Sequence, residues 1–170
     1  KARTRCDKCI GTFSSDGQQC LACAVGSQPT LNAMATNCTE CRVIGNKHIS
    51  RDGTQCVTCS VGKEPSADRD DCSDCKAGHS SDGSRCIACP ASTEPSADKS
   101  RCVKCIAKDR GESQYSTNGV ECKACAAGKQ PLSNRTECES CKVVGPAAVS
   151  VNGAACTKCE VGTEPNPGRT

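Results

Sequence analysis

The sequence predicts a small disulfide-rich fold: an elongated tandem array of short β-hairpin modules, with little regular secondary structure and no large core. Three observations predict it. Cysteine supplies 20 of the 170 residues, while the chain holds one Phe (Phe13), one Tyr (Tyr115), one Met (Met34) and no Trp. Every cysteine belongs to a Cys-x-x-Cys pair, namely Cys6/Cys9, Cys20/Cys23, Cys38/Cys41, Cys56/Cys59, Cys72/Cys75, Cys86/Cys89, Cys102/Cys105, Cys122/Cys125, Cys138/Cys141 and Cys156/Cys159. The linkers between pairs alternate between two kinds, one ending in Asx-Gly and one carrying Pro.

Cysteine above roughly 8–10% marks a disulfide scaffold. Aromatic side chains carry much of the burial in an ordinary core, so a chain this poor in them cannot offset the ordering of its backbone by apolar burial alone. Disulfides or metal must supply the difference. The net charge is +3, with acids and bases mixed along the chain. A nucleic-acid surface would need a basic stripe with stacking aromatics, and neither is present. There is no apolar run of membrane-spanning length and no secretory signal. The opening "KARTRC" and the closing "NPGRT" read as the ends of a portion of something longer.

The first kind of linker ends in Asp16-Gly17, Asp52-Gly53, Asp82-Gly83, Asn118-Gly119 or Asn152-Gly153, each Gly three residues before the next Cys. The second kind reads "GSQP", "GKEP", "STEP", "GKQP" or "GTEP", and Pro29, Pro65, Pro95, Pro131 and Pro165 each lie six residues past a Cys-x-x-Cys pair. Pair, Asx-Gly linker, pair and Pro linker make one unit of about 30–36 residues, a period that signals a quasi-linear array. The five repeats are 1–37, 38–71, 72–101, 102–137 and 138–170, and the array is expected to continue past Thr170. Asx-Gly favours the positive φ of a type I′ turn, so each first-kind linker is predicted to be a short hairpin. "RVIGNKHISRDGTQC" and "KVVGPAAVSVNGAAC" are predicted to begin with a β-branched strand. Pro presets φ and removes a donor, so the second linker is predicted to be a tight turn leading out of the sheet. No segment keeps a 3.6-residue apolar period, and no helix is expected.

Paired Cys-x-x-Cys motifs also fit four-cysteine zinc sites, the first of which would use Cys6, Cys9, Cys20 and Cys23. Disulfides are favoured because cysteine density with a weak core matches small extracellular modules. The chain also carries two glycosylation sequons, at Asn37 and Asn134, and shows none of the reader residues of nucleic-acid-binding zinc arrays. Four cysteines per unit allow three pairings. The expected scheme joins neighbouring pairs in step: Cys6–Cys20, Cys9–Cys23, Cys38–Cys56, Cys41–Cys59, Cys72–Cys86, Cys75–Cys89, Cys102–Cys122, Cys105–Cys125, Cys138–Cys156 and Cys141–Cys159. A rival scheme joins the second Cys of each pair to the first of the next and leaves Cys6 and Cys159 over.

Enzyme chemistry finds no foothold. A Cys-x-x-Cys oxidoreductase needs one reactive pair on a βαβ frame, not ten alike. His48 and His79 read as solvated loop residues, and Glu64, Glu94 and Glu164, each before a Pro, read as turn chemistry. There is no phosphate loop and no serine-triad signature. What remains is a protein that presents surface. The first-kind linkers vary in length, over 10–19, 42–55, 76–85, 106–121 and 142–155, and loop variation on a fixed scaffold carries specificity in repeat proteins. Arg110 and Tyr115 in the longest linker are the candidate epitope, because Tyr and Arg dominate contact hot spots. The alternative is that Tyr115 covers a disulfide. The apolar "VVGPAAVSV" is either an interface patch or a hairpin packing on its neighbour, and packing is expected.

Cys-x-x-Cys through the whole chain, the "GKEP" and "EPSAD" linkers and the recurring "DG..C..C" resemble the variant-specific surface proteins of Giardia. That resemblance implies an extracellular portion of a protease-resistant antigen coat, antigenic variation and immune evasion, with host antibodies and neighbouring coat molecules as partners. It implies a membrane engaged only through a C-terminal anchor outside this chain, and the residues themselves, with no basic stripe or stacking aromatics, give no expectation of a nucleic-acid partner. The Gly-Gly-Cys-Tyr element and the Cys-Arg-Gly-Lys-Ala tail of that family do not occur in the 170 residues. The ciliate immobilisation antigens and cysteine-rich receptor ectodomains are similar in texture. Two other functions follow from the same residues, a receptor ectodomain or adhesin binding a host ligand, and a zinc-binding array. No cofactor is expected unless zinc binds.

Overall fold

The computed structural model describes residues 6–30, 35–106 and 113–170. The chain forms two compact units, one of Lys1–Cys75 with Ser81–Cys86, the other of Lys76–Ser80 with Ile87–Thr170. In the first unit an isolated bridge joins Phe13 to Leu21. There β1 (Ser27–Pro29) pairs with β2 (Cys38–Glu40), β3 (His48–Ile49) with β4 (Val57–Thr58), and β5 (Lys63–Pro65) with β6 (Cys72–Asp74). In the second unit β7 (His79–Ser80) pairs with β8 (Ile87–Ala88), β9 (Thr93–Pro95) with β10 (Cys102–Lys104), and β11 (Gln114–Tyr115) with β12 (Lys123–Ala124). It continues with β13 (Lys129–Pro131) on β14 (Cys138–Ser140) and β15 (Ala148–Val149) on β16 (Thr157–Lys158). Every pairing is antiparallel and every sheet has two strands. The protein is a small disulfide-rich array of hairpins.

Nine of the ten linkers are closed by their own disulfide; the last, which carries Pro165, follows the free Cys159. Cys9–Cys20, Cys41–Cys56, Cys75–Cys86, Cys105–Cys122 and Cys141–Cys156 span the Asx-Gly linkers. Cys23–Cys38, Cys59–Cys72, Cys89–Cys102 and Cys125–Cys138 span the Pro linkers. Cys6 and Cys159 are free. Sequence separations run from 11 to 17 residues, and closing loops of this size stabilises the fold by about 3 kcal/mol each in the chain-entropy view.

This is the rival pairing, not the expected one. Cys6–Cys20, Cys9–Cys23, Cys38–Cys56, Cys41–Cys59, Cys72–Cys86, Cys75–Cys89, Cys102–Cys122, Cys105–Cys125, Cys138–Cys156 and Cys141–Cys159 do not form. The reason is direction. In an antiparallel pair one step forward on a strand is one step back on its partner, as His48↔Thr58 and Ile49↔Val57 show. The expected pairing advances on both sides at once, which is parallel register. Moreover, residues three apart on extended chain point to opposite faces. The two sulfurs of one Cys-x-x-Cys therefore leave in opposite directions, one to the preceding loop and one to the following loop.

The Pro linkers are hairpins too, not turns out of the sheet. Pro29, Pro65, Pro95 and Pro131 each end a strand opposite a half-cystine, as Pro65 does opposite Cys72. The next residue beyond is hydrogen-bonded across the hairpin, Ser66 N–H to Asp71 O at 2.8 Å and Leu132 N–H to Glu137 O at 2.9 Å. Antiparallel pairs alternate between bonded and non-bonded. Pro thus falls on a non-bonded position, where its missing donor costs nothing. The Asx-Gly dipeptide also differs from expectation. It does not form a two-residue connector, because residues 50–56 separate β3 from β4 and residues 150–156 separate β15 from β16.

The β-branched runs expected as strands are single helical turns, α1 (Cys41–Ile44) and α2 (Cys141–Val144), so the expectation of no helix also fails. Each is closed by one bond, from Gly45 N–H to Cys41 O and from Gly145 N–H to Cys141 O, both 3.1 Å. One turn does not nucleate alone in water. Here Cys41 and Cys141, both fully buried and disulfide-bonded, hold it in place.

The interior is sulfur. Apart from Pro29, Ile49 and Ala148, the buried apolar side chains among the described residues are all half-cystines. Valines and isoleucines that would fill an ordinary core lie outside, Val43 at 74% and Val143 at 78% exposure.

Candidate functional site

Successive hairpins are locked together by the same small set of groups. The residue before each hairpin proline, Gln28, Glu64, Glu94 or Gln130, accepts the backbone N–H of a half-cystine in the following Asx-Gly loop. The partners are Cys56 at 2.7 Å, Cys86 at 2.8 Å, Cys122 at 2.9 Å and Cys156 at 2.7 Å. Glu64 and Glu94 are therefore inter-hairpin connectors rather than turn residues, while Glu164 is exposed. A second lock uses the residue four beyond the proline. Arg69, Lys99, Arg135 and Arg169 all adopt positive φ. The carbonyls of Arg69, Arg135 and Arg169 accept the N–H of the buried Ser50, Ser116 and Ser150, at 2.8, 3.0 and 2.8 Å. The Arg69 guanidinium donates to the carbonyls of Gly45, Asn46 and His48, and Arg169 to those of Gly145, Pro146 and Ala148. The sequence offered a signal for this, a basic residue at a fixed step past each of these prolines, which the reading of the linkers missed.

The loop tips face solvent. In each Asx-Gly linker the Asx oxygen accepts the N–H two residues on, in Asp16, Asp52, Asp82, Asn118 and Asn152 alike. These are Asx-turns. Exposed ion pairs join Lys47 to Asp82 at 2.9 Å and Arg51 to Asp71 at 2.5 Å, and Lys63 on β5 pairs with Asp74 on β6 at 3.1 Å. The Ser84 hydroxyl and then Lys47 hold Asp82 down to about 2, and the hydroxyl of Ser96 with the N–H of Ser100 does the same for Asp98. The Arg51 guanidinium lowers Asp71, and the backbone and hydroxyl of Thr54 lower Asp52. Such exposed pairs contribute little to stability. Two of them, Lys47–Asp82 and Arg51–Asp71, place charge at the Asx-Gly loops that hold Asp82 and Arg51.

The other expected residues fall as follows. Cys9 and Cys20 are bonded to each other and Cys23 to Cys38, so the set Cys6, Cys9, Cys20 and Cys23 offers no four thiolates. Among the described residues no group of three or more His, Cys, Asp or Glu is placed to hold a metal ion. His48 and His79 are not solvated loop residues. Each begins a strand, half-buried, with the His48 Nδ1 unpartnered and the His79 Nδ1 3.0 Å from Ala77 O. Tyr115 is half-buried on β11, opposite Lys123, and Arg110 lies outside the described residues. In "VVGPAAVSV" Ala148 packs inside, while Val143, Val144 and Val151 stay exposed. An open groove of about 690 Å³, with Ile10, Pro29, Ile44 and His48 among its lining residues, lies in the first unit.

Fold and locks define a class, a cysteine-rich Cys-x-x-Cys repeat protein whose repeats are hairpins stapled one by one. Nine disulfides belong to an oxidising, extracytoplasmic setting. No protein-family model and no curated protein matches the chain. Among the described residues no helix is long and apolar enough to cross a membrane.

Proposed function

We propose that this chain is the extracellular portion of a cysteine-rich variant surface antigen, of the kind the variant-specific surface proteins of Giardia represent. It forms part of a protease-resistant coat and takes part in antigenic variation and immune evasion. Its partners in this reading are host antibodies and neighbouring coat molecules, and a C-terminal anchor outside the chain ties it to the membrane. It works by shielding and display rather than by catalysis. The observation that supports the reading is that nine linkers are each closed by their own disulfide while Asp16, Asp52, Asp82, Asn118 and Asn152 at the Asx-Gly tips lie in solvent. Proteolysis needs local opening of a segment, and short crosslinked loops leave little to open. Exposed tip positions such as Arg51 and Thr54 are then free to differ without disturbing the locks.

The test is digestion of the oxidised chain with trypsin, with antibodies raised against the folded protein mapped to the linkers. Survival of the oxidised chain, rapid loss of the reduced one and epitopes in the linkers are expected. Rapid digestion of the oxidised chain overturns the reading. So does a tight host ligand whose binding is lost in Tyr115→Ala, which would instead mark a receptor ectodomain or adhesin.

A further inference from the structure

We propose that Asn134, and not Asn37, is a site of N-linked glycosylation. The two sequons, Asn37-Cys38-Thr39 and Asn134-Arg135-Thr136, are alike on paper and differ in the fold.

Asn134 sits at the tip of the β13–β14 hairpin. Arg135 N–H donates to Leu132 O at 2.8 Å, which makes Leu132–Arg135 a β-turn with Asn134 at its third position. Its side chain is exposed. Oδ1 accepts the N–H of Thr136 at 3.2 Å and its hydroxyl at 2.9 Å. Nδ2, the atom a glycan would take, has no partner among the described residues. The same turn recurs in the second unit with an acid in place of the amide. Asp98 is exposed, Ser100 N–H donates to its Oδ1 at 3.0 Å, and Lys99 N–H donates to Ser96 O at 2.8 Å. Asn134 is thus an Asx-turn residue at a projecting tip, in which the amide form alone offers a nitrogen for glycosyl transfer.

Asn37 is tied into its hairpin instead. Its carbonyl accepts both the N–H and the hydroxyl of Thr30, each at 2.9 Å. The middle residue of its sequon is bonded to Cys23, and the Thr39 hydroxyl lies 3.3 Å from that of Thr30. The Cys23–Cys38 bond and the β1–β2 pairing therefore fix the second and third residues of this sequon in β2, beside the exposed Asn37, and engage the hydroxyl that the acceptor motif requires.

In the reaction Asn134 Nδ2 attacks the anomeric carbon of an oligosaccharide carried on a lipid pyrophosphate. The N-glycosidic bond forms, the bond from anomeric carbon to pyrophosphate breaks, the lipid pyrophosphate leaves with the electron pair, and Nδ2 gives up one proton. The product is a bulky, solvated group on a turn, clear of the Gln130 lock and of the Cys125–Cys138 disulfide on the same hairpin.

The full chain is translated into microsomes that carry such a donor, then mapped by peptide mass before and after enzymatic removal of N-glycans. The expected result is one glycan, on the Asn134 peptide, lost in Asn134→Gln and in Thr136→Ala. Asp98→Asn places a sequon on the sister turn, Asn at 98 followed by Lys99 and Ser100, and is expected to add a second glycan. An unmodified Asn134 peptide, with or without a glycan gained in Asp98→Asn, overturns the proposal, as does a glycan on Asn37. The readout is independent of protease resistance, so it and the coat reading stand or fall separately.

Discussion

The Glu94 carboxylate takes the backbone N–H of Cys122, 28 residues further on, at 2.9 Å. Cys122 is buried, and a buried donor without a partner costs about 1–3 kcal/mol. Glu94→Ala is expected to incur that cost at the junction of two hairpins. Glu94→Gln is expected to restore most of it, because Gln28 and Gln130 make the same bond elsewhere in the chain. Hydrogen exchange at the Cys122 amide reads both, with about tenfold to hundredfold faster exchange expected in the alanine variant. Equal exchange in the two variants would mean that the carboxylate holds nothing.

Gly53 and Gly17 separate two reasons for glycine. Both have positive φ, +73° and +75°, a conformation that costs a side chain on the order of 1–3 kcal/mol. At Gly53 a Cβ would also overlap the carbonyl oxygen of Cys23, and the same overlap faces Gly119 at Cys89 and Gly153 at Cys125. At Gly17 nothing lies within 4 Å of the added atom. Gly53→Ala is therefore expected to loosen the junction by more than Gly17→Ala loosens its own loop, read as protection of the Cys56 amide against that of Cys20. An equal effect would reduce the glycine requirement to φ alone.

The hairpin array was legible because its causes are local. Cysteine spacing, scarce aromatics and the Asx-Gly and Pro punctuation act within one linker. The bonding pattern was not, because it depends on strand direction. Only the antiparallel register decides between Cys6–Cys20 and Cys9–Cys20, and both are compatible with the spacing. The locks of Gln28 and Arg69 were missed for a related reason, since each meets a partner 21 to 28 residues away. Val43-Ile44 looked like a strand because β-branched residues favour one, and the buried, disulfide-bonded Cys41 overrode that preference. Arg110 and Tyr115 as an epitope rest on side-chain chemistry alone, and the structure adds only the place of Tyr115 on β11.

Asp82 and Asp98 give the chain a defined acid response. Each is held down to about 2, against 3.8 for the free side chain, by a neighbouring Ser hydroxyl first of all. A carboxylate whose folded pKa lies below its unfolded value binds its proton more weakly in the folded state. Its contribution to stability is complete above about pH 4 and is lost as pH falls toward 2. Carboxyl carbon titration by NMR should place both midpoints well below those of ordinary aspartates, with Ser84→Ala and Ser96→Ala raising Asp82 and Asp98 respectively. Both groups are exposed, so high salt should weaken the share of Asp82 that comes from Lys47.

Because each disulfide closes only its own linker, removing one should open one loop and leave the others shut. Cys41 and Cys56 are the clearest test, since their linker holds three trypsin sites, Arg42, Lys47 and Arg51. The bond spans 15 residues, which corresponds to about 3 kcal/mol of loop closure and so to about a hundredfold greater population of the open loop. In Cys41→Ala/Cys56→Ala the α1 turn loses its anchor, and cleavage is expected to appear first and almost exclusively between residues 42 and 55. The Cys59–Cys72 hairpin carries its own bond, and its Lys63 should stay resistant at the same protease concentration. If cleavage instead spreads through both linkers at one rate, the hairpins open as a single cooperative block, and protection belongs to the locks between them more than to the sulfur within each.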